Sequence, residues 1–226
     1  MRKSFSLILI LTVIIFSCSK KEVVIVPEIA YDYAGLEVGK YVIYDVDSLT
    51  YDDFTETVDT ATYQIKEVVD SKFTDLEGEE AFKIIRYRKD HDTLGWNLID
   101  VWNSKITATN FQKTEENIKL VKLIFPVKLN KTWNGNAMNN DAEIEYEYTS
   151  IDQTETIGGN ALGSVLTVLQ DESPEILINP WLYEEKYARG IGMVYKRSMN
   201  LYRSNTLPST PWLGYDVTMT LSSYGG

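Results

Sequence analysis

Glu143-Ile144-Glu145-Tyr146-Glu147-Tyr148 is the stretch on which the reading of the fold turns. Glutamates alternate with apolar or aromatic residues without a break. A period of two puts Ile144, Tyr146 and Tyr148 on one face and Glu143, Glu145 and Glu147 on the other. Such a strand buries one face and solvates the other.

The same pattern extends in both directions. Strands are expected over residues 39–47, 62–69, 82–87, 96–102, 106–111, 118–125, 164–170, 182–188, 191–202 and 215–221. Within these, Val42, Tyr44 and Val46 share a face, as do Tyr63 and Ile65, then Ile191, Met193, Tyr195, Met199 and Leu201, and finally Tyr215, Val217, Met219 and Leu221. Turn residues separate them: Glu77-Gly78-Glu79, a polar loop over 89–95, Lys113 to Asn117, Gly158-Gly159-Asn160 and Arg189-Gly190. Trp133-Asn134-Gly135-Asn136 and Asn139-Asn140-Asp141 read as turn chemistry as well, because Asn and Gly tolerate positive φ. The one helical alternative covers 179–189, with Asn179 as cap and Pro180 in the first position. About ten antiparallel strands joined by short turns predict an all-β domain: a barrel, half-barrel or sandwich.

The N-terminus has a different logic. Arg2 and Lys3 precede an apolar run over 5–16, and the small residue Ser17 stands before Cys18. This is the layout of a secretory signal, and the run is shorter than the roughly 20 residues a spanning helix needs. The expected organisation is a signal helix over 1–17, an acylated N-terminus and tether over 18–34, and one β domain over 35–226. The formal net charge of −11 becomes −13 once Arg2 and Lys3 are removed. So acidic a surface argues against nucleic acid as a partner and against electrostatic adhesion to anionic lipid. Cys18 is the only cysteine and His91 the only histidine. A disulfide, a thiolate nucleophile beyond Cys18 and a His-based zinc site are thereby excluded, and no cofactor is expected.

Ile15-Phe16-Ser17-Cys18 resembles a bacterial lipobox. The resemblance implies lipidation of Cys18 on sulfur, cleavage before it and acylation of the new amine, which together give a stable membrane anchor. Leu36-Glu37-Val38-Gly39-Lys40-Tyr41-Val42-Ile43-Tyr44, Val121-Lys122-Leu123-Ile124-Phe125-Pro126-Val127, Thr132-Trp133-Asn134-Gly135-Asn136 and Tyr187-Ala188-Arg189-Gly190-Ile191-Gly192-Met193-Val194-Tyr195-Lys196 resemble an uncharacterised lipoprotein family of Bacteroidota. That resemblance implies a cell-envelope protein, lipid-anchored at the outer membrane, and brings no catalytic residues with it. Lys20-Lys21 does not match the acidic run that follows the lipidated Cys in some surface-exported members of that phylum, so the sequence assigns no face of the membrane.

Chemistry-bearing residues are few. Glu143, Glu145 and Glu147 offer paired carboxylates of the kind a glycosidase uses, yet their placement opposite an apolar face makes them a solvated strand face. Asn134, Asn136, Asn139, Asn140 and Asp141 offer oxygen ligands without the spacing of a calcium loop. Asp45, Asp47, Asp52 and Asp53 form a second acidic cluster of the same kind. His91, between Asp90 and Asp92, has no nucleophile motif beside it. The aromatic content is high, with five Trp and fifteen Tyr. Packing accounts for most of it, and Trp133 and Trp212, flanked by loop residues, are the candidates for ligand contact. Asp47-Ser48-Leu49, Asp59-Thr60-Ala61 and Asp92-Thr93-Leu94 resemble O-glycosylation sites of exported Bacteroidota proteins, with Ser48, Thr60 and Thr93 as acceptors.

Three functional expectations follow in order: a non-catalytic scaffold or binding domain in the envelope, with a protein, glycan or lipid partner; a half-barrel carrier of a lipid or other hydrophobic ligand; and a carboxylate-dependent, glycan-active hydrolase.

Overall fold

The computed structural model describes residues 29–52, 57–90, 95–173, 179–203 and 212–226. Cys18, His91 and Thr93 lie outside these. Among the described residues there are twelve strands: β1 Tyr41–Asp52, β2 Thr57–Thr74, β3 Glu80–Lys89, β4 Asn97–Ile106, β5 Asn110–Glu115, β6 Ile118–Ile124, β7 Thr132–Asn134, β8 Glu145–Ile157, β9 Asn160–Glu172, β10 Trp181–Ala188, β11 Gly192–Tyr202 and β12 Leu213–Gly225. All pair antiparallel in one sheet of order β6-β5-β4-β3-β2-β1-β12-β11-β10-β9-β8-β7. Every neighbour is a sequence neighbour except β1 and β12, which join the two ends of the chain.

The two sheet edges, β6 and β7, meet and make the sheet a nearly closed barrel. The amide of Val121 donates to Gly135 O at 2.9 Å. Trp133 Nε1 donates to Val121 O at 2.8 Å, and Asn139 Nδ2 to Lys119 O at 3.0 Å. Beyond the end of β7, the Tyr148 hydroxyl accepts from Ile124 N at 2.8 Å and donates to Ile124 O at 2.9 Å. Side chains thus serve the β6 edge where the backbone of the short β7 does not reach. An edge left open would be a template for foreign strands.

Cross-strand partners lie on the same face of a sheet, so the register identifies the lining of the barrel. Val168, Glu185, Lys196, Met219, Val46 and Tyr63 follow one another across six adjacent strands. A barrel of eight strands is filled by ordinary side chains, and one of sixteen or more leaves a channel. Twelve strands fall between, and long side chains fill the lumen here. Tyr44, Tyr148 and Tyr187 are fully buried together with Leu123, Leu166 and Val168.

One end is closed by a 3-10 turn, Tyr31–Ala34. Tyr33 is buried, and its hydroxyl donates to Asp152 Oδ1 at 2.7 Å. Tyr31 packs edge-on against Phe125 at 4.8 Å between ring centres. Arg189 holds the plug from outside, with Nη1 3.2 Å from Asp32 Oδ1 and Nε 3.0 Å from Asp152 Oδ1. Gly35 ends the turn at φ +63°, and a Cβ there would lie 2.3 Å from Ile191 O, so only glycine fits. Residues 30–34, read from sequence as the end of the tether, are therefore part of the packed domain.

The structure differs from the sequence reading in three further places. There are twelve strands instead of about ten. Residues 106–111 are not one strand: Ile106 ends β4, and Thr107 turns the chain by accepting from the amides of Thr109 and Asn110. The next turn is then the tight pair Glu116-Asn117, with φ of +47° and +67°, as a two-residue hairpin requires. The strand expected over 182–188 is β10, Trp181–Ala188, and the helical alternative over 179–189 does not form. Finally, β11 does not keep Met193 and Tyr195 on one face. A bulge opposite Lys186/Tyr187 shifts the phase, so Lys196, not Tyr195, continues the lumen face of Met193.

Candidate functional site

The lumen is organised in three layers below the plug. Directly under the Tyr31–Ala34 turn lies a cavity of about 50 Å³, lined by Leu36, Tyr44, Glu67, Ser104, Lys113 and Met193 among others. At 10–15 Å³ per water this is space for roughly three to five waters. Ser104 is 2% exposed, and its hydroxyl has no hydrogen-bond partner.

The second layer is a belt of charge. Arg86, Lys113, Lys122 and Lys196 interleave with Glu67, Glu115 and Glu185. Lys122 Nζ lies 2.6 Å from Glu185 Oε1 and 3.4 Å from Glu115 Oε1. Lys196 Nζ bridges the same two carboxylates at 3.2 and 3.5 Å. Lys113 lies 2.9 Å from Glu67 and 3.7 Å from Glu115, and Arg86 Nε is 3.0 Å from Glu67. Tyr187 donates its hydroxyl proton to Glu185 Oε2 at 2.5 Å. The Arg86 guanidinium stacks 3.6 Å from the centre of the Trp102 ring, a cation–π contact that desolvation strengthens. These pairs connect strands far apart in the sheet: β6 to β10, β5 to β11 and β2 to β5.

Burial alone would hold the Glu185 carboxyl neutral. The attraction of Lys122 and Lys196 outweighs it and draws the pKa down to about 2. Glu115 is likewise held well below the carboxylate range, burial being overcome by Lys122, Lys196 and Lys113. Glu67 is lowered against its own burial by Lys113 and Arg86. Lys122 moves up: burial opposes its charge, and Glu115 and Glu185 more than offset that. Burial and then Glu185 raise the Tyr187 phenol well above its usual value, which keeps it a neutral donor. Glu67, Glu115, Glu185 and Lys122 are thus held in their charged forms at neutral pH.

The third layer is the mouth, at the end opposite the plug. Ile144, Tyr146, Gln170, Asp171, Trp181, Tyr183 and Asn200 line a pocket of about 400 Å³. The register puts Trp181 beside Asn200 and Asn200 beside Tyr215. The Tyr183 and Tyr215 hydroxyls share a hydrogen bond at 2.9 Å. The Gln170 Nε2 and Trp181 Nε1 atoms are buried in this wall without a hydrogen-bond partner.

Among the described residues, those singled out in the sequence do not assemble into one site. Trp133 sits in β7 with its indole N–H spent on Val121 O and its ring 4.6 Å from Tyr148. Trp212 stands just before β12 with the Arg203 guanidinium 3.9 Å from its ring. Ser48 lies within β1 opposite Val217 and Ala61, and Thr60 is exposed in β2 opposite Leu49. The asparagines of 134–141 bond to one another and to nearby backbone: Asn134 Oδ1 accepts from Asn136 N, and Asn136 Nδ2 donates to Ala142 O. Among the described residues no three His, Cys, Asp or Glu side chains form a metal-ligand group. Sequence reasoning missed the belt. Its signal is a charged residue in phase with a buried face: Glu67 follows Tyr63 and Ile65 at spacing two, and Lys113 and Glu115 follow Phe111.

No family model matches the chain, and no curated protein sequence does. Two solved structures are similar in outline. A Bacteroides fragilis NCTC 9343 protein, described as exported and of YmcC-like fold, shares 12% identity at a TM-score of 0.44, with 84% of this chain and 97% of that one covered. A Parabacteroides distasonis ATCC 8503 protein, described as a lipoprotein, shares 9% identity at a TM-score of 0.41, with 85% and 98% covered.

Proposed function

We propose that the chain is a lipid-anchored cell-envelope protein, held at the outer membrane through an acylated Cys18, whose barrel is a non-catalytic binding domain. The observation that carries the binding reading is the division of the lumen. Each carboxylate of the belt is committed to a lysine or arginine and held ionised. General acid catalysis needs a carboxyl whose pKa lies near the working pH, and these are shifted the other way. Among the described residues, two of the three buried side-chain polar atoms left without a partner, Gln170 Nε2 and Trp181 Nε1, lie at the mouth, in a pocket within the size range of small-molecule sites. The carrier reading is less favoured: charges cross the lumen, and the cavity under the plug holds only about 50 Å³.

The anchor half rests on Met1 to Cys18. In cells fed an alkyne fatty acid, Cys18→Ala should abolish labelling and release the protein from membranes; labelling equal to the parent would refute the anchor. Native mass spectrometry of the protein taken from its own envelope should show a retained small ligand. A chain that always flies bare, from gentle and harsh preparations alike, would count against the binding half.

A further inference from the structure

Two buried donors without acceptors stand on one wall of the mouth pocket. Gln170 is 8% exposed, and its Nε2 meets no acceptor; Trp181 Nε1, on the neighbouring strand, meets none either. Buried polar groups are paired in the great majority of cases. Among the described residues the Ser104 hydroxyl, inside the barrel, is the other side-chain atom so left. The pocket therefore asks for a ligand that presents acceptors to Gln170 and Trp181.

The rest of the lining limits its chemistry. Among the described residues no lysine or arginine lines the pocket, and Asp171 does. A phosphate, sulfate or carboxylate ligand would lack a counter-charge and face a carboxylate. A cation would leave both N–H groups unanswered, and so would an acyl chain. Asp171 and the Asn200 amide oxygen are acceptors that donor groups on a ligand can meet. Tyr146, Trp181 and Tyr183 supply ring surface for an apolar C–H face. A polyhydroxylated ring meets all of these demands, because each hydroxyl both donates and accepts.

We propose that the mouth of the barrel binds a neutral saccharide whose oxygens accept hydrogen bonds from Gln170 Nε2 and Trp181 Nε1. This rests on the binding-domain reading and names its ligand class. The site uses neither Trp133, whose indole closes the barrel, nor Trp212.

The test is a titration of the full chain in lauryldimethylamine oxide micelles, whose headgroup carries no sugar. The protein is labelled with ¹⁵N-indole tryptophan. Maltotriose, cellotriose and triacetylchitotriose are the probes, and trigalacturonate is the charged control. At least one neutral probe should shift the Trp181 indole N–H downfield and saturably. The indole signals of Trp102 and Trp133, already bonded to Asp100 and Val121 O, should stay in place. Trp181→Phe and Gln170→Leu should each weaken that binding by roughly threefold to tenfold, the range for one lost hydrogen bond, with an unchanged circular dichroism spectrum. Because the indole shift is read on the parent chain, a variant that fails to fold does not decide the matter. Three neutral probes without a saturable Trp181 shift would overturn the proposal, as would tighter binding of trigalacturonate, or a parent-like affinity in both folded variants. A saccharide failure with some other ligand retained in native mass spectrometry would sink the sugar and leave the binding domain standing.

Discussion

Lys122 shows what a single residue does in this lumen. Its side chain is 2% exposed, and its ammonium serves Glu185 and Glu115 together. Removing charges from water costs several kcal/mol per ion, and mutual attraction returns that only when every partner is present. Lys122→Met would leave two buried carboxylates short of a counter-charge, and should lower the unfolding free energy by about 3–5 kcal/mol. The double variant Lys122→Met/Glu185→Leu should be more stable than the single one, because it removes the orphan it would otherwise create. Lys196 then still has Glu115. Urea denaturation of the parent, both single variants and the double gives the coupling directly. Additive single effects would mean that the pair does not act as a unit. Gly135 constrains the mouth by a different mechanism. A Cβ there would lie 2.4 Å from the Tyr146 ring, so Gly135→Ala should push Tyr146 out of the pocket wall. Its effect should appear as weaker saccharide binding in the same indole titration, and unaltered affinity would show that Tyr146 is not part of the wall the ligand uses.

At the scale of elements, the barrel depends on a seam that backbone pairing alone does not close. Tyr148 projects from β8 past the three-residue β7 and serves both Ile124 N and Ile124 O. Tyr148→Phe should keep the ring packing and leave the Ile124 amide unpaired, at about 1–3 kcal/mol. Hydrogen exchange should accelerate at Ile124 and leave the amides of Leu166 and Val168 in β9 at their parental rates. Uniform acceleration would instead mean that the seam has no independent opening. The alternation of Glu143 to Tyr148 was legible because one face of β8 is buried and the other solvated. The seam was not, because Thr132-Trp133-Asn134 is too short to show a period, and its asparagine and glycine neighbours are turn formers. It is a strand because the ring closes there, which is a non-local fact. The charged belt was hidden for a related reason. A strand reading sends charged residues to the solvent, whereas a twelve-strand lumen takes Lys122, Glu185 and Lys113 inward, where long side chains span the gap. The bulge in β11 then moved the lumen face from Tyr195 to Lys196, and nothing in the local sequence marks that step. The mouth site shared this fate, since Gln170, Trp181 and Asn200 come from three strands that only the register brings together.

For the molecule as a whole, the belt makes stability a function of pH, and the sign follows from the direction of each shift. Glu185 has a folded pKa of about 2 against an ordinary 4.5, and Glu115 and Glu67 are lowered as well. Below about pH 4.5 the unfolded chain takes up protons that the folded chain refuses, so the unfolded state gains. The contribution of these carboxylates is fully present above 4.5 and is lost as the pH falls toward 2. Lys122 is raised above its ordinary 10.5, so its contribution is present below 10.5 and is lost only on the far alkaline side. The thermal midpoint should therefore fall steeply between about pH 4.5 and pH 2. In the Lys122→Met/Glu185→Leu variant the fall should be shallower, because a depressed carboxylate is gone. Since the ion pairs join β6 to β10, β5 to β11 and β2 to β5, protonating the belt releases opposite walls together, and the acid transition should remain a single cooperative step by both tryptophan fluorescence and far-ultraviolet circular dichroism. Parallel pH profiles in parent and double variant would locate the acid sensitivity elsewhere, and two separated transitions would show that the walls come apart independently of the belt.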